Sequence, residues 1–229
     1  MPTDDQTPTC QATLVVLAGG DSRRMGVDKL SLPLGESTVL GETLRHLSPH
    51  FGRTVIAGRR AIPPQAVRAV SAVDEQRGAG PLAGAIAGLE AAETELVALV
   101  GGDYVLLWPG LLDPLLTALG RAQVAIPRCA GRLQQMVVGL RREVLPVLRQ
   151  AFAEGVRRPL LALQRAECAV VLLPPRCEAE GAFVNVNTWA DYEALRAGGR
   201  LPLNAAARAL SVAEEEGRAA GRWLRSWAG

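Results

Sequence analysis

Short apolar runs alternate with longer stretches of helical spacing along most of this chain. The apolar runs predict strands at residues 14–17, 54–57, 67–73, 95–100, 123–127, 135–140 and 169–173. The stretches between them predict helices at residues 37–47, 81–92, 109–119, 143–153 and 159–165. The first run is continuously apolar rather than alternating, as in parallel strands that are covered on both faces. The order of the elements therefore predicts an α/β fold, doubly wound around a mainly parallel sheet.

Residues 13–29, TLVVLAGGDSRRMGVDK, form the most informative segment. The apolar strand ends at Gly19 and Gly20, which allow the backbone to turn and to approach a ligand closely. Arg23, Arg24 and Lys29 add positive charge beside the backbone N–H groups of this loop. A glycine pair after a strand is also common in ordinary loops, and the segment matches neither the dinucleotide fingerprint nor the GxxxxGK[ST] loop. Glycines with basic residues suit the phosphates of a nucleoside triphosphate.

The ordered set LAGG, SRRMG and DK resembles the signature of the molybdenum cofactor guanylyltransferase family, LAGGxSxRMGxDK, with every fixed position kept. This resemblance implies a Rossmann-like nucleotidyltransferase domain in which the loop binds the nucleotide. The implied nucleotide-binding residues of this loop are Leu17, Ala18, Gly19, Gly20, Arg24 and Lys29. Arg24 and Lys29 would contact the β- and γ-phosphates and are candidate catalytic residues. Cytidine-using relatives carry LAAG, so Gly19 favours GTP.

An aspartate ends the predicted strand at residues 67–73, and a glycine-rich loop and Pro81 follow it. A turn and a helix start would explain this pattern, because proline is favoured in the first helical turn. The carboxyl end of a parallel strand is also where ligands of open α/β sheets bind. The segment resembles the family pattern of a strand-ending aspartate followed by GPLAG. The resemblance implies that Asp74 belongs to the nucleotide site.

A second aspartate, Asp103, follows the predicted strand at residues 95–100. A carboxylate there needs solvent, a partner or a metal. It could cap a turn or a helix, or it could bind Mg²⁺, which takes one or two carboxylates together with substrate phosphates. The segment resembles the family pattern CDxPxLxP, in which the aspartate binds the metal, so Asp103 is a candidate catalytic, nucleotide-binding and metal-binding residue with Mg²⁺ as cofactor. Gly102 and Val105 depart from this pattern, in place of cysteine and proline.

Residues 182–191, AFVNVNTWAD, alternate between apolar and polar side chains. This alternation predicts a half-exposed edge strand, with Asn187 or Thr188 capping the next helix. The segment is similar to the family signature F-x-N-[VI]-N-T-P-x-[DE], which implies that Asn185 and Asn187 bind the pterin substrate. Trp189 replaces the proline of this signature, and Gln135 replaces another proline in the family's QP[LT] motif.

The length and composition of the 229-residue chain indicate its domain organisation, its partners and its location. The expected organisation is a flexible tail at residues 1–12, the nucleotidyltransferase domain at 13–197 and a helical extension at 198–229 that packs on the domain or docks a partner. A net charge of +2 gives no case for nucleic acid or membrane as a partner. The four cysteines are scattered, and the amino-terminal residues do not resemble a signal peptide. Reduced thiols and a cytoplasmic location are therefore expected. His46 and His50 lie in a helical region with no motif around them.

Together with these patterns, the family resemblance implies transfer of GMP from Mg²⁺-bound GTP to molybdopterin, with release of pyrophosphate. The substrates would be GTP and molybdopterin, and other molybdenum cofactor proteins or acceptor apoenzymes could be further partners. Two alternatives stay open. One is a nucleotidyltransferase for another phosphorylated acceptor or for a CTP-dependent pterin reaction. The other is a weakly active, nucleotide-binding paralogue that acts through a partner.

Overall fold

The computed structural model describes residues 10–19, 25–58, 61–72, 80–173 and 181–197. The strands in these ranges are β1 Cys10–Leu17, β2 Pro33–Leu34, β3 Ser37–Thr38, β4 Phe51–Ala57, β5 Ala69–Ala72, β6 Leu96–Gly101, β7 Val124–Cys129, β8 Arg132–Leu133, β9 Val137–Arg141 and β10 Cys168–Leu172. The α-helices are α1 Val39–Leu47, α2 Pro81–Ala91, α3 Asp113–Ala118, α4 Leu145–Ala153, α5 Pro159–Leu163 and α6 Trp189–Arg196. Short 3-10 helices lie at Lys29–Ser31, Ser48–His50, Pro109–Leu111 and Arg142–Val144.

Eight of the described strands form one sheet, in the order β10-β7-β9-β6-β1-β4-β5, with β8 paired to β7. Strand β1 is central and runs parallel to both β4 and β6. Strand β9 runs antiparallel to its neighbours β6 and β7, whereas β10 is parallel to β7. The sheet is therefore mainly parallel, as predicted. The carboxyl ends of β1, β4 and β6 meet at one edge, where open α/β sheets bind ligands.

Helices cover both faces of this sheet. Leu14 and Val16 of β1 face a core that includes residues of α1, α3 and α6. Val15 and Leu17 face the opposite core, which is built against α2, α4 and α5. All four side chains are at most 7% exposed. Burial on both faces explains why the strand is continuously apolar, and it makes the fold doubly wound.

The predicted elements agree with the described structure in kind but differ at several boundaries. Strand β1 begins at Cys10, before the predicted start, and α1 begins at Val39, because Thr38 accepts a hydrogen bond from Gly41 N as its N-cap. The edge strand predicted at residues 182–191 is wrong. Residues 184–187 have no regular structure, and α6 begins at Trp189 instead. The tail at residues 1–9 and the extension at 198–229 lie outside the described residues.

The expectation of four reduced cysteines is also wrong. Cys10 and Cys168 are free thiols, but Cys129, at the end of β7, is disulfide-bonded. The wide spacing of the cysteines along the chain gave no sign of this bond, because contact between distant residues is decided by the fold. Separately, among the helices of the described ranges, none has both the length and the apolar character needed to cross a membrane.

Candidate active site

The carboxyl ends of β1 and β4 lie backbone against backbone. Ala18 N donates a hydrogen bond to Ala57 O at 2.7 Å, and Gly19 follows at an exposed position. Gly58 has φ +94°, and a Cβ on it would come within 2.7 Å of Gly19 N and Cα. Both the positive φ and the lack of space therefore require glycine at position 58. Gly58 thus packs against the backbone of the glycine loop at Gly19. The sequence around Gly58 did not indicate this role.

The DK pair at the end of the glycine-loop motif sets the position of a lysine. The Asp28 carboxylate accepts hydrogen bonds from Leu30 N at 3.2 Å and from Ser31 Oγ at 2.6 Å. It thereby caps the short helix Lys29–Ser31, whose Leu30 is buried in the core. The aspartate holds the first turn, and Lys29 leaves this turn towards the sheet edge.

Lys29 joins three segments that are far apart in the sequence. Its Nζ lies 2.5 Å from Asp103 Oδ2, so the two form a charge-assisted ion pair. The same ammonium donates to Val186 O at 2.8 Å and to Asn187 Oδ1 at 3.3 Å. The Lys29 and Asp103 side chains are only 21% and 10% exposed. Water therefore screens this pair less than it would an ion pair at the surface.

Asp103 lies in the loop that follows β6. Gly102 N, just before it, donates to Leu17 O at 2.9 Å and so ties this loop to the end of β1. Tyr104, just after it, is 5% exposed. Burial raises the pKa of the Tyr104 hydroxyl well above its ordinary value, and the Asp103 charge raises it further. The Tyr104 hydroxyl therefore stays protonated at neutral pH.

The two asparagines of the carboxyl-terminal motif are held by the start of α6. Asn187 Nδ2 donates to Asn185 Oδ1 at 2.8 Å. The Asp191 carboxylate accepts from Asn187 N at 3.0 Å and from Thr188 N at 2.8 Å, and Thr188 Oγ1 accepts in return from Asp191 N. This reciprocal capping box fixes the chain direction before the helix. Because its carboxylate binds the Asn187 backbone, Asp191 orients the segment that reaches Lys29.

The donor set fits a hard divalent cation. The Asp103 carboxylate supplies oxygen, the ligand that Mg²⁺ prefers, and it faces the loops at the sheet edge. No group of three or more histidine, cysteine, aspartate or glutamate side chains gathers within the described ranges. The Asp103 carboxylate is the group here that would hold Mg²⁺, in the class of magnesium site that combines one carboxylate with substrate phosphates.

The predicted site residues that lie in the described ranges fall into two sets. Lys29, Asp103, Asn185 and Asn187 are brought together, while Leu17 and Ala18 lie at the end of β1 and bond to the neighbouring loop and strand. Gly20, Arg24 and Asp74 lie outside the described residues, so their roles stay predictions. Sequence reasoning missed Gly58 and Asp191. Thr188 followed by Asp191 is a capping-box pattern, and this signal could have identified Asp191.

Comparison with solved structures agrees with the architecture. The molybdopterin-guanine dinucleotide biosynthesis protein A from Archaeoglobus fulgidus superposes with a TM-score of 0.64 and 20% sequence identity. The similarity covers 80% of this chain and 96% of that one. At this identity the likeness concerns the fold alone. The sheet, its helices and the loops at its edge define the Rossmann-like fold of the nucleotidyltransferases.

Comparison of sequences is more specific. The family model of the MobA-like NTP transferase domain matches residues 14–169, and the chain belongs to this family of nucleotidyltransferase enzymes. A probable molybdenum cofactor guanylyltransferase from Chloroflexus aggregans is 31% identical over 80% of this chain and 92% of its own length. A molybdenum cofactor guanylyltransferase from Pseudomonas putida is 36% identical over 72% of this chain and 90% of its own length.

Proposed function

We propose that the protein transfers GMP from Mg²⁺-bound GTP to the terminal phosphate of molybdopterin and releases pyrophosphate. One observation carries the proposal: the Lys29 ammonium contacts both Asp103 and Asn187. The loop with the nucleotide motif, the candidate metal ligand Asp103 and the asparagine motif thus meet at one group, the ammonium of Lys29. The names of the relatives from Chloroflexus aggregans and Pseudomonas putida support the same reaction.

The reaction needs no nucleophile from the protein. An oxygen of the acceptor's terminal phosphate attacks the α-phosphorus of GTP and forms the new P–O bond. The bond from the α-phosphorus to the bridging oxygen breaks, and pyrophosphate leaves with that electron pair. The protein then acts by positioning the two phosphates and by neutralising charge. Asp103 would hold the Mg²⁺ ion, which supplies positive charge beside the phosphates.

Each part of the site has a role in this scheme. The backbone of Gly19 and Gly20 approaches the nucleotide, and Lys29 and Arg24 bind its β- and γ-phosphates. The backbone of residues 17–19 reads guanine, and Asp74 holds part of the nucleoside. Asn185 and Asn187 hold the pterin, since an amide both donates and accepts hydrogen bonds.

Nucleotide choice is tested by thermal unfolding. A ligand that binds only the native state stabilises it, by about 2.7 kcal/mol at a concentration of 100 Kd. We expect Mg²⁺ with GTP to raise the melting temperature and Mg²⁺ with CTP to leave it unchanged. The opposite preference would reject GTP as the substrate.

The acceptor is tested by pyrophosphate release. With GTP and Mg²⁺ present, adding molybdopterin should start the release of pyrophosphate. A sugar phosphate of similar size should not. Nucleotide binding without any release would instead support the weakly active paralogue. Association with other molybdenum cofactor proteins or acceptor apoenzymes stays a prediction, as does a cytoplasmic location.

A changed acceptor is a second candidate, and one observation favours it. Trp189 stands where the family signature has proline, directly after the asparagine motif, and its side chain is 46% exposed. An exposed indole beside the acceptor segment would alter the shape of that subsite. If another phosphorylated acceptor releases pyrophosphate faster than molybdopterin does, this second candidate replaces the first.

A further inference from the structure

Helix α1 holds the Asp103 loop at two points, one on each side of the aspartate. Thr43 Oγ1 lies 3.0 Å from Gly102 O, and His46 Nδ1 lies 3.0 Å from Val105 O. Thr43 and His46 are three residues apart, so they lie on the same side of the helix. The peptide groups before and after Asp103 are therefore both attached to α1.

The direction of these hydrogen bonds follows from the chemistry of the partners. The Val105 carbonyl can only accept, so His46 Nδ1 carries the proton. Arg45 Nη2 lies 3.0 Å from His46 Nε2, and a guanidinium can only donate, so Nε2 is the acceptor. The two ring nitrogens of His46 thus bond to partners on opposite sides, Nδ1 to the Asp103 loop and Nε2 to Arg45. The fully buried Thr43 hydroxyl shares its proton between Gly102 O and Val39 O, the latter at 3.2 Å.

The sequence of the loop does little to restrict its backbone at two positions, one on each side of Asp103. It begins with Gly102, which restricts the backbone least of all residues. Val105 stands where the resembling pattern has proline, so no ring fixes φ at that point. The Val105 residue is buried, and its carbonyl would lack the His46 partner if that side chain were removed.

We propose that Thr43 and His46 are positioning residues that hold the Asp103 carboxylate in the orientation required for the metal–nucleotide complex. This inference rests on the proposed nucleotidyl transfer, and it gives α1 a role beyond packing. Neither side chain touches the reacting atoms. Both act through the backbone of the loop, one step further from the metal than partners that bond directly to a metal ligand.

The first test compares two variants at position 43. Thr43→Val keeps the shape but removes the hydroxyl, whereas Thr43→Ser keeps the hydroxyl. Mn²⁺, which is visible by electron paramagnetic resonance, replaces Mg²⁺ in a titration of the full chain with GTP. We expect Mn²⁺ to bind about 10-fold or more weakly to Thr43→Val, the effect typical of lost outer partners, and close to normally to Thr43→Ser. Equal weakening in both variants would contradict the proposal.

The second test uses histidine variants. His46→Ala removes the donor to Val105 O, while His46→Asn can replace it with an amide N–H. His50→Ala is the matched control, because His50 Nε2 contacts Asp113 Oδ1 at 3.0 Å instead of the Asp103 loop. We expect weaker Mn²⁺ binding only in His46→Ala, with partial rescue in His46→Asn. If His46→Ala and His50→Ala both lower the melting temperature but leave the Mn²⁺ affinity unchanged, the role of His46 is merely structural. That result would overturn the inference.

A third variant separates this inference from the proposed function. Asp103→Asn should abolish the tight Mn²⁺ site in the presence of nucleotide. If it binds Mn²⁺ as the natural protein does, the metal assignment and the role of α1 both fail. If the metal measurements behave as expected but molybdopterin releases no pyrophosphate, the proposed acceptor fails and the role of α1 stands.

Discussion

At the scale of single residues, the ion pair between Lys29 and Asp103 is the contact that connects the parts of the candidate site. Seventy-four positions separate the two residues in the chain, yet their charged atoms lie 2.5 Å apart. In a partly buried pair the loss of one partner leaves the other charge poorly compensated. Lys29 also bonds to Val186 O and Asn187 Oδ1, so its ammonium keeps two oxygen partners if Asp103 is changed.

The first prediction concerns Asp103→Asn. The substitution removes the negative charge that would bind the metal but keeps a similar shape. We expect the rate of pyrophosphate release to fall by about 100-fold or more, a loss typical for one electrostatic group in an active site. Circular dichroism should show a native fold, since Lys29 keeps its other partners.

Asp113→Asn is the matched control for this prediction. Asp113 is an exposed aspartate that contacts His50, away from Lys29. Its substitution should leave the rate unchanged. Normal turnover in Asp103→Asn would contradict the metal assignment.

At the scale of elements, the site depends on how the ends of strands and helices meet. The close approach of β1 and β4 at Gly19 and Gly58 leaves no room for a side chain. Later in the chain, the capping box of α6 holds the asparagine motif. In both places local geometry at an element's end determines where the functional groups lie.

The second prediction concerns Gly58→Ala. Alanine at φ +94° is strained, and its Cβ would overlap the Gly19 backbone. Residues in such conformations cost about 1–3 kcal/mol each, so we expect a loss of at least about 2 kcal/mol in the free energy of unfolding by urea. Gly131→Ala is the control, because Gly131 also has a positive φ, of +74°, but nothing lies within 4 Å of its added Cβ. An equal loss in both variants would show that backbone strain, and not the contact with Gly19, accounts for the effect.

The third prediction concerns the N-cap of α6. Thr188→Ala removes the oxygen that accepts from Asp191 N, and we expect a loss of about 1 kcal/mol in the free energy of unfolding. Thr188→Ser keeps a capping oxygen and should lose less. Urea unfolding of the two variants measures the difference. Equal stability of Thr188→Ala and the natural protein would mean that the cap contributes nothing.

At the scale of the whole molecule, two cores on opposite faces of one sheet determine stability. Cys168, at the start of β10, belongs to the core on the side of α2, α4 and α5. Burial raises the pKa of its thiol from the ordinary value of 9.0 to about 11. This thiol therefore couples the stability of the whole fold to alkaline pH.

The fourth prediction gives the sign of this coupling. Between about pH 9 and pH 11 the thiol ionises in the unfolded chain but stays protonated in the folded protein. The unfolded state therefore binds fewer protons, and the free energy of unfolding falls as the pH rises through this window. Urea unfolding at pH 8 and pH 10.5 should show a smaller fall in Cys168→Ala than in the natural protein.

Val171→Ala is the control, since it removes volume from the same strand without removing a titrating group. Its pH dependence should equal that of the natural protein. If Cys168→Ala has the same pH dependence as well, burial of the thiol does not contribute to alkaline unfolding.

The fold class could be predicted from the sequence, and so could several of the residues that the structure brings together. Runs such as residues 14–17 are apolar at every position, because both faces of a central parallel strand are buried. The ordered motif from Leu17 to Lys29 and the aspartate at position 103 pointed to a nucleotide site. These features are local, so a short window of sequence contains them.

The tertiary structure alone decided which of these groups meet. Lys29 and Asn187 are 158 positions apart, and neither periodicity nor composition relates them. The alternation at residues 182–191 predicted a strand, but the capping box of Thr188 and Asp191 starts a helix there. Thr43 and His46 had no motif around them, and the Cys129 disulfide had no signal in the spacing of the cysteines. Such contacts depend on how distant elements pack, and the pattern along any one element does not contain that information.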